Sequence, residues 1–145
     1  MHKPKKSLGQ NFLKSEPALR KIIEAGEISR EDIILEIGPG KGVLTEKLLE
    51  KAGRVIAIEK DYELFEFLKN KFAEQIASGI LILVRDDILK FSLRAYRPEP
   101  RAYKIIANIP YNITGAILKK FLTEEKQPEM MILMVQHDVA KRIMA

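Results

Sequence analysis

The apolar positions of the chain form short continuous runs that alternate with segments of helical spacing. The runs predict five strands, at 33–37, 55–58, 80–84, 103–107 and 130–135. Helical spacing or helix-start signals mark 16–26, 43–52, 62–77, 114–122 and 137–144. Strands that lack polar alternation are typical of a parallel sheet covered on both faces, and helices between most of the strands favour the same arrangement. The pattern therefore predicts one α/β domain with a mostly parallel, five-stranded sheet.

Four of the predicted strands are followed by residues suited to a binding site. Gly38 follows the first strand, Glu59 the second and Asn108 the fourth, and Asp87 lies just past the third. Right-handed crossovers bring the carboxyl ends of parallel strands to one edge of the sheet. Because ligands of open α/β sheets bind at that edge, a ligand site is the leading hypothesis.

The loop after the first strand reads EIGPGKG over residues 36–42. Its glycines, Gly38 and Gly40 among them, let the backbone turn tightly and approach a ligand closely. The dinucleotide fingerprint fails because Val43 stands at its last glycine position, and the P-loop fails because Gly42 follows the lysine. The loop therefore favours a nucleoside ligand without a pyrophosphate, and a glycine-rich turn without any ligand is the alternative.

The acidic residues at the same edge have two interpretations each. Glu59 stands 21 residues after Gly38 and can accept two hydrogen bonds from a ribose diol. It can also serve as an acid at the start of the next helix, a role that Asp61 could fill instead. Asp86 and Asp87 can cap a short turn, or one of them can contact an adenine.

The sequence Asn108-Ile109-Pro110-Tyr111 matches the N/D-x-P-Y/F pattern used for methylation of exocyclic amines on bases. The Asn108 side-chain oxygen and the Ile109 carbonyl can accept both hydrogens of an adenine N6, which directs its lone pair. Pro110 makes that turn rigid, and Tyr111 offers a ring on which an extruded base can stack. The alternative is a proline turn with a buried tyrosine.

The net charge of the chain is concentrated at its beginning. The 145 residues carry 25 basic and 20 acidic side chains, a formal charge of +5. Residues 1–21 hold six basic residues and one acidic residue, which accounts for the whole excess. A basic arm over residues 1–15 is thus predicted to contact a polyanion such as RNA, through Lys3, Lys5, Lys6 and Lys14. A solvated terminus is the alternative.

Composition excludes several classes of protein. The chain has no cysteine, which excludes disulfides, thiolate metal sites and a cysteine nucleophile. His2 and His137 have no second ligand at metal spacing, so no metal site is expected. No apolar run reaches the roughly 18 residues of a membrane span. A cytoplasmic protein that does not contact a membrane is expected.

Four motifs together carry a family resemblance. They are SLGQNFL at 7–13, EIGPGKG at 36–42, NIPYNIT at 108–114 and VQHDVAKR at 135–142. In this order they resemble the KsgA/Dim family of small-subunit rRNA adenine dimethyltransferases over essentially the whole chain. The resemblance implies a Rossmann-like fold with strand order 3-2-1-4-5 and the cofactor S-adenosyl-L-methionine. It also implies dimethylation of N6 on two adjacent adenines in a hairpin loop near the 3′ end of the rRNA.

The resemblance also implies roles for individual residues. Asn11 and Leu13 would border the cofactor, Gly38 would lie against its methionine part, and Gly40 would also belong to the cofactor-binding residues. Glu59 would hold the ribose hydroxyls, Asp87 the adenine amino group, and Asn108 both cofactor and target base. The partner implied is the immature small ribosomal subunit, and a monomer is expected.

Two further interpretations remain open. Large-subunit rRNA methyltransferases that confer macrolide resistance are similar, but Leu8-Gly9 and Asn112-Ile113-Thr114 favour the small-subunit enzymes. A module of the same fold that binds RNA without chemistry is the other. The last motif departs from the family at His137-Asp138. Because family members continue through two more strands and a helical domain, we expect this chain to be a truncated catalytic domain.

Overall fold

The computed structural model describes residues 16–96 and 99–135. They form a five-stranded sheet of order β3-β2-β1-β4-β5 in which every pairing is parallel. The strands are β1 (Ile33–Ile37), β2 (Arg54–Glu59), β3 (Leu81–Arg85), β4 (Lys104–Ile109) and β5 (Met130–Val135). The predicted strands and the predicted strand order are confirmed. β4 extends past the predicted end, so that Asn108 and Ile109 belong to the strand.

Helices cover both faces of the sheet. They are α1 (Glu16–Ala25), α2 (Val43–Lys51), α3 (Tyr62–Lys71), α4 (Ala73–Ser78) and α5 (Tyr111–Thr123), with a 3₁₀ turn at Leu93–Ala95. One buried cluster joins α1, α2 and α3 to the sheet, and another joins α5 and the segment after β3 to the opposite face. None of these helices is long and apolar enough to cross a membrane, within the part of the chain that is described.

The single helix predicted over 62–77 is wrong. The chain leaves helical geometry at Phe72 (φ −110°, ψ 29°), which separates α3 from α4. The buried Phe72 ring packs against Gly42, where an added Cβ would lie only 2.6 Å from the ring. The residue at the interruption therefore makes a long-range contact with the glycine-rich loop after β1. The helix predicted over 137–144 lies outside the described residues.

The predicted helix start at Thr114 is also wrong. α5 begins at Tyr111, and Pro110 stands at its N-cap with φ −64°. Proline suits this end because its ring fixes a helix-compatible φ and its missing N–H removes no helical hydrogen bond. The Thr114 hydroxyl instead donates to the Pro110 carbonyl at 3.4 Å. Tyr111 and Asn112 therefore lie in the first turn of a helix that begins directly after β4.

Candidate functional site

A cleft of about 330 Å³ lies at the carboxyl edge of the sheet. Its walls come from the ends of β1, β2 and β4, the loop after β3 and the first turn of α5. Gly38, Glu59, Asp87 and Asn108 all line it. The prediction that these residues meet at one edge is confirmed.

The glycine-rich loop after β1, residues 38–42, is called the glycine loop, and it passes directly against the end of β4. Gly38 has φ +71°, and its N–H donates to the Ile58 carbonyl at 3.1 Å. A Cβ at this position would lie 2.5 Å from the Asn108 carbonyl oxygen, which no side chain permits. Glycine is therefore required for the main chains of β1 and β4 to approach so closely.

Glu59 is buried, with 6% of its surface exposed, and both of its carboxylate oxygens accept backbone hydrogen bonds. Gly40 N–H donates to Oε1 at 3.3 Å, and Asp61 N–H donates to Oε2 at 2.9 Å. Burial raises the pKa of Glu59, and these hydrogen bonds partly offset the rise. Asp61 itself caps α3 by accepting from Leu64 N–H at 2.9 Å, so the predicted helix-cap role of Asp61 is confirmed. Gly40 orients Glu59 and does not line the cleft.

Asp86 and Asp87 shape the turn that follows β3. Asp86 Oδ1 accepts from Asp87 N–H at 2.7 Å, and Asp87 Oδ1 accepts from Leu89 N–H at 3.0 Å. The turn-capping interpretation is thereby confirmed. Asp87 Oδ2 lies 3.9 Å from Lys60 Nζ, at the cleft wall. Its contact with an adenine stays a prediction.

Asn108 carries an unusual polar atom. Its Oδ1 is buried and has no hydrogen-bond partner among the described residues. A buried acceptor without a partner is costly and is rare in folded proteins. Asn108 itself lines the cleft, so this unsatisfied acceptor belongs to a residue of the candidate site.

The rest of the Asn-Ile-Pro-Tyr motif splits between core and surface. The Ile109 side chain is buried in the sheet, so only its main chain is available to a ligand. Pro110 lines the cleft, and Tyr111 is 45% exposed at the start of α5. The alternative of a buried tyrosine is therefore wrong.

Glu36 is a site neighbour that sequence reasoning missed. It is 2% exposed in the middle of β1, and the Thr45 hydroxyl of α2 donates to its Oε1 at 2.6 Å. Burial raises the pKa of Glu36 from 4.5 to about 7, and the Thr45 hydrogen bond partly offsets this while nearby Glu59 adds to it. A charged residue inside an apolar strand run was the available signal, since such a group is costly to bury without a partner.

Several predicted site residues lie outside the described residues. They are Lys3, Lys5, Lys6, Asn11, Leu13 and Lys14. Over residues 16–96 and 99–135, no group of three or more histidine, aspartate or glutamate side chains could hold a metal ion.

The parallel sheet, the glycine loop and the cleft beyond the strand ends define a Rossmann-like α/β protein with a ligand site at its carboxyl edge. The sequence model of one family, described as ribosomal RNA adenine dimethylase, matches residues 1–145. The chain therefore belongs to the ribosomal RNA adenine dimethylase family, as its motifs predicted.

Individual relatives agree with this assignment. The chain is 45% identical over 143 residues to ribosomal RNA small subunit methyltransferase A of Dehalococcoides mccartyi, which covers 99% of this chain and 48% of that protein. The chain spans about half the length of the curated relatives it matches.

Two crystal structures are also similar. A dimethyladenosine transferase from Plasmodium falciparum has a TM-score of 0.69 and 32% identity, over 90% of this chain and 45% of that one. The 23S rRNA methyltransferase ErmE has a TM-score of 0.70 and 26% identity, over 88% of this chain and 48% of that one. These likenesses confirm the predicted Rossmann-like methyltransferase fold.

The raised pKa of Glu36 predicts a pH dependence of stability. Below pH 4.5 the carboxyl is protonated in both the folded and the unfolded chain. As pH rises to about 7, the unfolded chain ionises first, so the free energy of unfolding falls. The loss is on the order of 3 kcal/mol and is complete above pH 7.

Glu36→Gln should abolish this loss, because its amide keeps an acceptor for Thr45 and does not ionise. Urea unfolding of the unmodified chain and of Glu36→Gln from pH 4 to pH 8 measures how the free energy of unfolding changes with pH. Glu63→Gln, at an exposed position on α3, is the control. Parallel pH profiles for Glu36→Gln and the unmodified chain would contradict the assignment.

Proposed function

We propose that this chain is the S-adenosyl-L-methionine-binding part of an adenine-N6 dimethyltransferase that acts on small-subunit rRNA. The observation that carries the proposal is that Asn108, at the end of β4 within the Asn-Ile-Pro-Tyr motif, lines the cleft and has a buried Oδ1 without a hydrogen-bond partner among the described residues. Family membership and the relatives named small-subunit methyltransferases support the choice of reaction and substrate.

The cleft fits a nucleoside cofactor without phosphate. Glu59, Asp86 and Asp87 line it, and Lys60 is the basic residue among its described lining residues. Such an acidic cleft repels a pyrophosphate, which disfavours a nicotinamide cofactor, and it accommodates the positive sulfonium of S-adenosyl-L-methionine. Glu59 would hold the ribose hydroxyls and Asp87 the adenine amino group. Bound there, the cofactor supplies an activated methyl group.

The residues of this chain contribute orientation and electrostatics to the reaction. Asn108 Oδ1 and the Ile109 carbonyl would accept the two N6 hydrogens of the target adenine and direct its lone pair. Tyr111, exposed at the start of α5, would stack on the extruded base. Because the methyl donor is strongly activated, positioning supplies most of the rate and no strong general base is needed. After the first transfer the methylated N6 releases one proton to solvent and keeps one hydrogen, so a single acceptor suffices for the second transfer.

The finer aspects of the proposal concern the RNA. The substrate would be two adjacent adenines in the 3′-terminal hairpin of the small-subunit rRNA, within an immature subunit in the cytoplasm. The basic arm would contact RNA phosphates through Lys3, Lys5, Lys6 and Lys14, while Asn11 and Leu13 would border the cofactor. A role in ribosome biogenesis follows from this substrate.

Glu59→Ala should weaken cofactor binding by about 10- to 100-fold, because it removes the acceptor of two ribose hydrogen bonds and the acceptor of the Gly40 N–H. Isothermal titration calorimetry with S-adenosyl-L-methionine measures the change. Glu63→Ala, an exposed position on α3, is the matched control and should bind like the unmodified chain. Equal affinity of Glu59→Ala and the unmodified chain would exclude this cofactor assignment.

Methyl transfer from radiolabelled S-adenosyl-L-methionine to ribosomal subunits tests the substrate. Label is expected on adenine N6 of undermethylated small subunits, and Asn108→Ala should lower the rate by about 100-fold or more, as loss of a transition-state contact does. Label on large-subunit RNA instead would favour the macrolide-resistance type of enzyme. Cofactor binding with no transfer to either subunit would favour a binding module without chemistry.

A further inference from the structure

Lys71 is the last residue of α3, and its side chain reaches the glycine loop from outside the cleft. Its Nζ donates to the Lys41 carbonyl oxygen at 2.9 Å and lies 3.5 Å from Glu46 Oε1. The side chain is only 26% exposed. A surface lysine is ordinarily mobile, but this one is held to the backbone of the loop.

Aromatic rings hold the same ammonium group. Lys71 Nζ lies 5.3 Å from the centre of the Phe72 ring and 5.9 Å from that of Phe67, both within cation–π range. Phe72 also packs against Gly42, which has φ +84°. The end of α3 therefore holds residues 41 and 42 together, one by a hydrogen bond and the other by packing.

The glycine loop is held on its other side by the site itself. Gly40 N–H donates to Glu59 Oε1, one residue before the carbonyl that Lys71 holds. Residues 40–42 thus lie between the end of α3 and the carboxylate proposed to bind the ribose. The short segment 40–42 therefore connects the hydrogen bond of Lys71 to that of Glu59.

A basic residue in the last turn of a helix has an ordinary explanation, since it interacts favourably with the helix dipole. Lys69 stands in that same last turn and, like Lys71, is an exposed residue. If the dipole were the whole role of Lys71, the two lysines would be equivalent. The contacts of Lys71 with Lys41, Glu46 and Phe72 distinguish them and give a matched control.

We propose that Lys71 is a positioning residue that holds loop residues 40–42 in the conformation needed for nucleoside binding, without touching the ligand. The proposal rests on the proposed function, because the ligand is S-adenosyl-L-methionine. In this proposal, the end of α3 fixes the conformation of the loop that hydrogen-bonds to Glu59.

The test compares Lys71→Met, Lys71→Arg and Lys69→Met by calorimetry with S-adenosyl-L-methionine and S-adenosyl-L-homocysteine. Lys71→Met should weaken both ligands by about 5- to 10-fold, since it removes a charged hydrogen bond but keeps the stem. Lys71→Arg, which retains a donor, should stay within about two-fold, as should Lys69→Met. Equal losses for both ligands are expected of a positioning role. Tightening of the cationic ligand alone would instead indicate a direct charge effect and overturn the proposal.

A ligand-free readout separates this inference from the proposed function. In the ¹⁵N–¹H spectrum of the labelled chain, the Gly40 and Gly42 amide signals should shift in Lys71→Met and remain in place in Lys69→Met. Unchanged Gly40 and Gly42 signals in Lys71→Met would overturn the role of Lys71. So would an unchanged ligand affinity of Lys71→Met, provided that the unmodified chain binds the ligand. If the unmodified chain bound neither ligand, the proposed function would fail. The spectra would still test whether Lys71 holds loop residues 40–42. Should Lys71→Met not fold, Lys71→Gln replaces it in both measurements.

Discussion

The close approach of Gly38 to the main chain of Asn108 is the constraint on which the site depends. It brings the ends of β1 and β4 together so tightly that no Cβ fits between them. The glycine loop then lies beside β2, where Gly38 N–H bonds to Ile58 and Gly40 N–H to Glu59. A larger residue at this crossing would separate the two strand ends that carry the acceptors of the cleft.

Near this contact between β1 and β4, several polar groups are buried, and burying them costs folding free energy. Asn108 Oδ1 is buried without a partner among the described residues, Glu59 is buried, and Glu36 is buried and accepts a hydrogen bond from Thr45. A fold selected for stability alone would not gather these groups at one edge. Their placement makes sense if a bound nucleoside satisfies Asn108 and Glu59. The acidic cleft would then bind the cationic cofactor, and the basic arm would contact the polyanionic substrate.

The sequence predicted the sheet well because the strand runs are continuous and apolar, which is the pattern that full burial imposes. It also predicted which residues end the strands at the site, since parallel connections leave one edge for them. It failed at Phe72, where the predicted helix is interrupted. The Phe72 ring packs against Gly42, which lies 30 residues earlier in the chain. Local signals along 62–77 contain no trace of that contact.

Two further failures have equally specific causes. The start of α5 was predicted at Thr114 because threonine is a common N-cap, whereas Pro110 starts the helix earlier and the Thr114 hydroxyl bonds back to it. Glu36 carried a signal, a charged residue within an apolar run, but its partner Thr45 lies on the next helix, where local patterning does not show the contact. Hydrogen bonds between elements of this kind cannot be read from periodicity.

The most direct test of the account is a crystal structure of this chain with S-adenosyl-L-homocysteine. We expect the ligand in the cleft at the carboxyl edge, with its ribose hydroxyls on Glu59 and its adenine amino group near Asp87. A ligand bound elsewhere, or one bound in the cleft without contact to Glu59, would contradict the account.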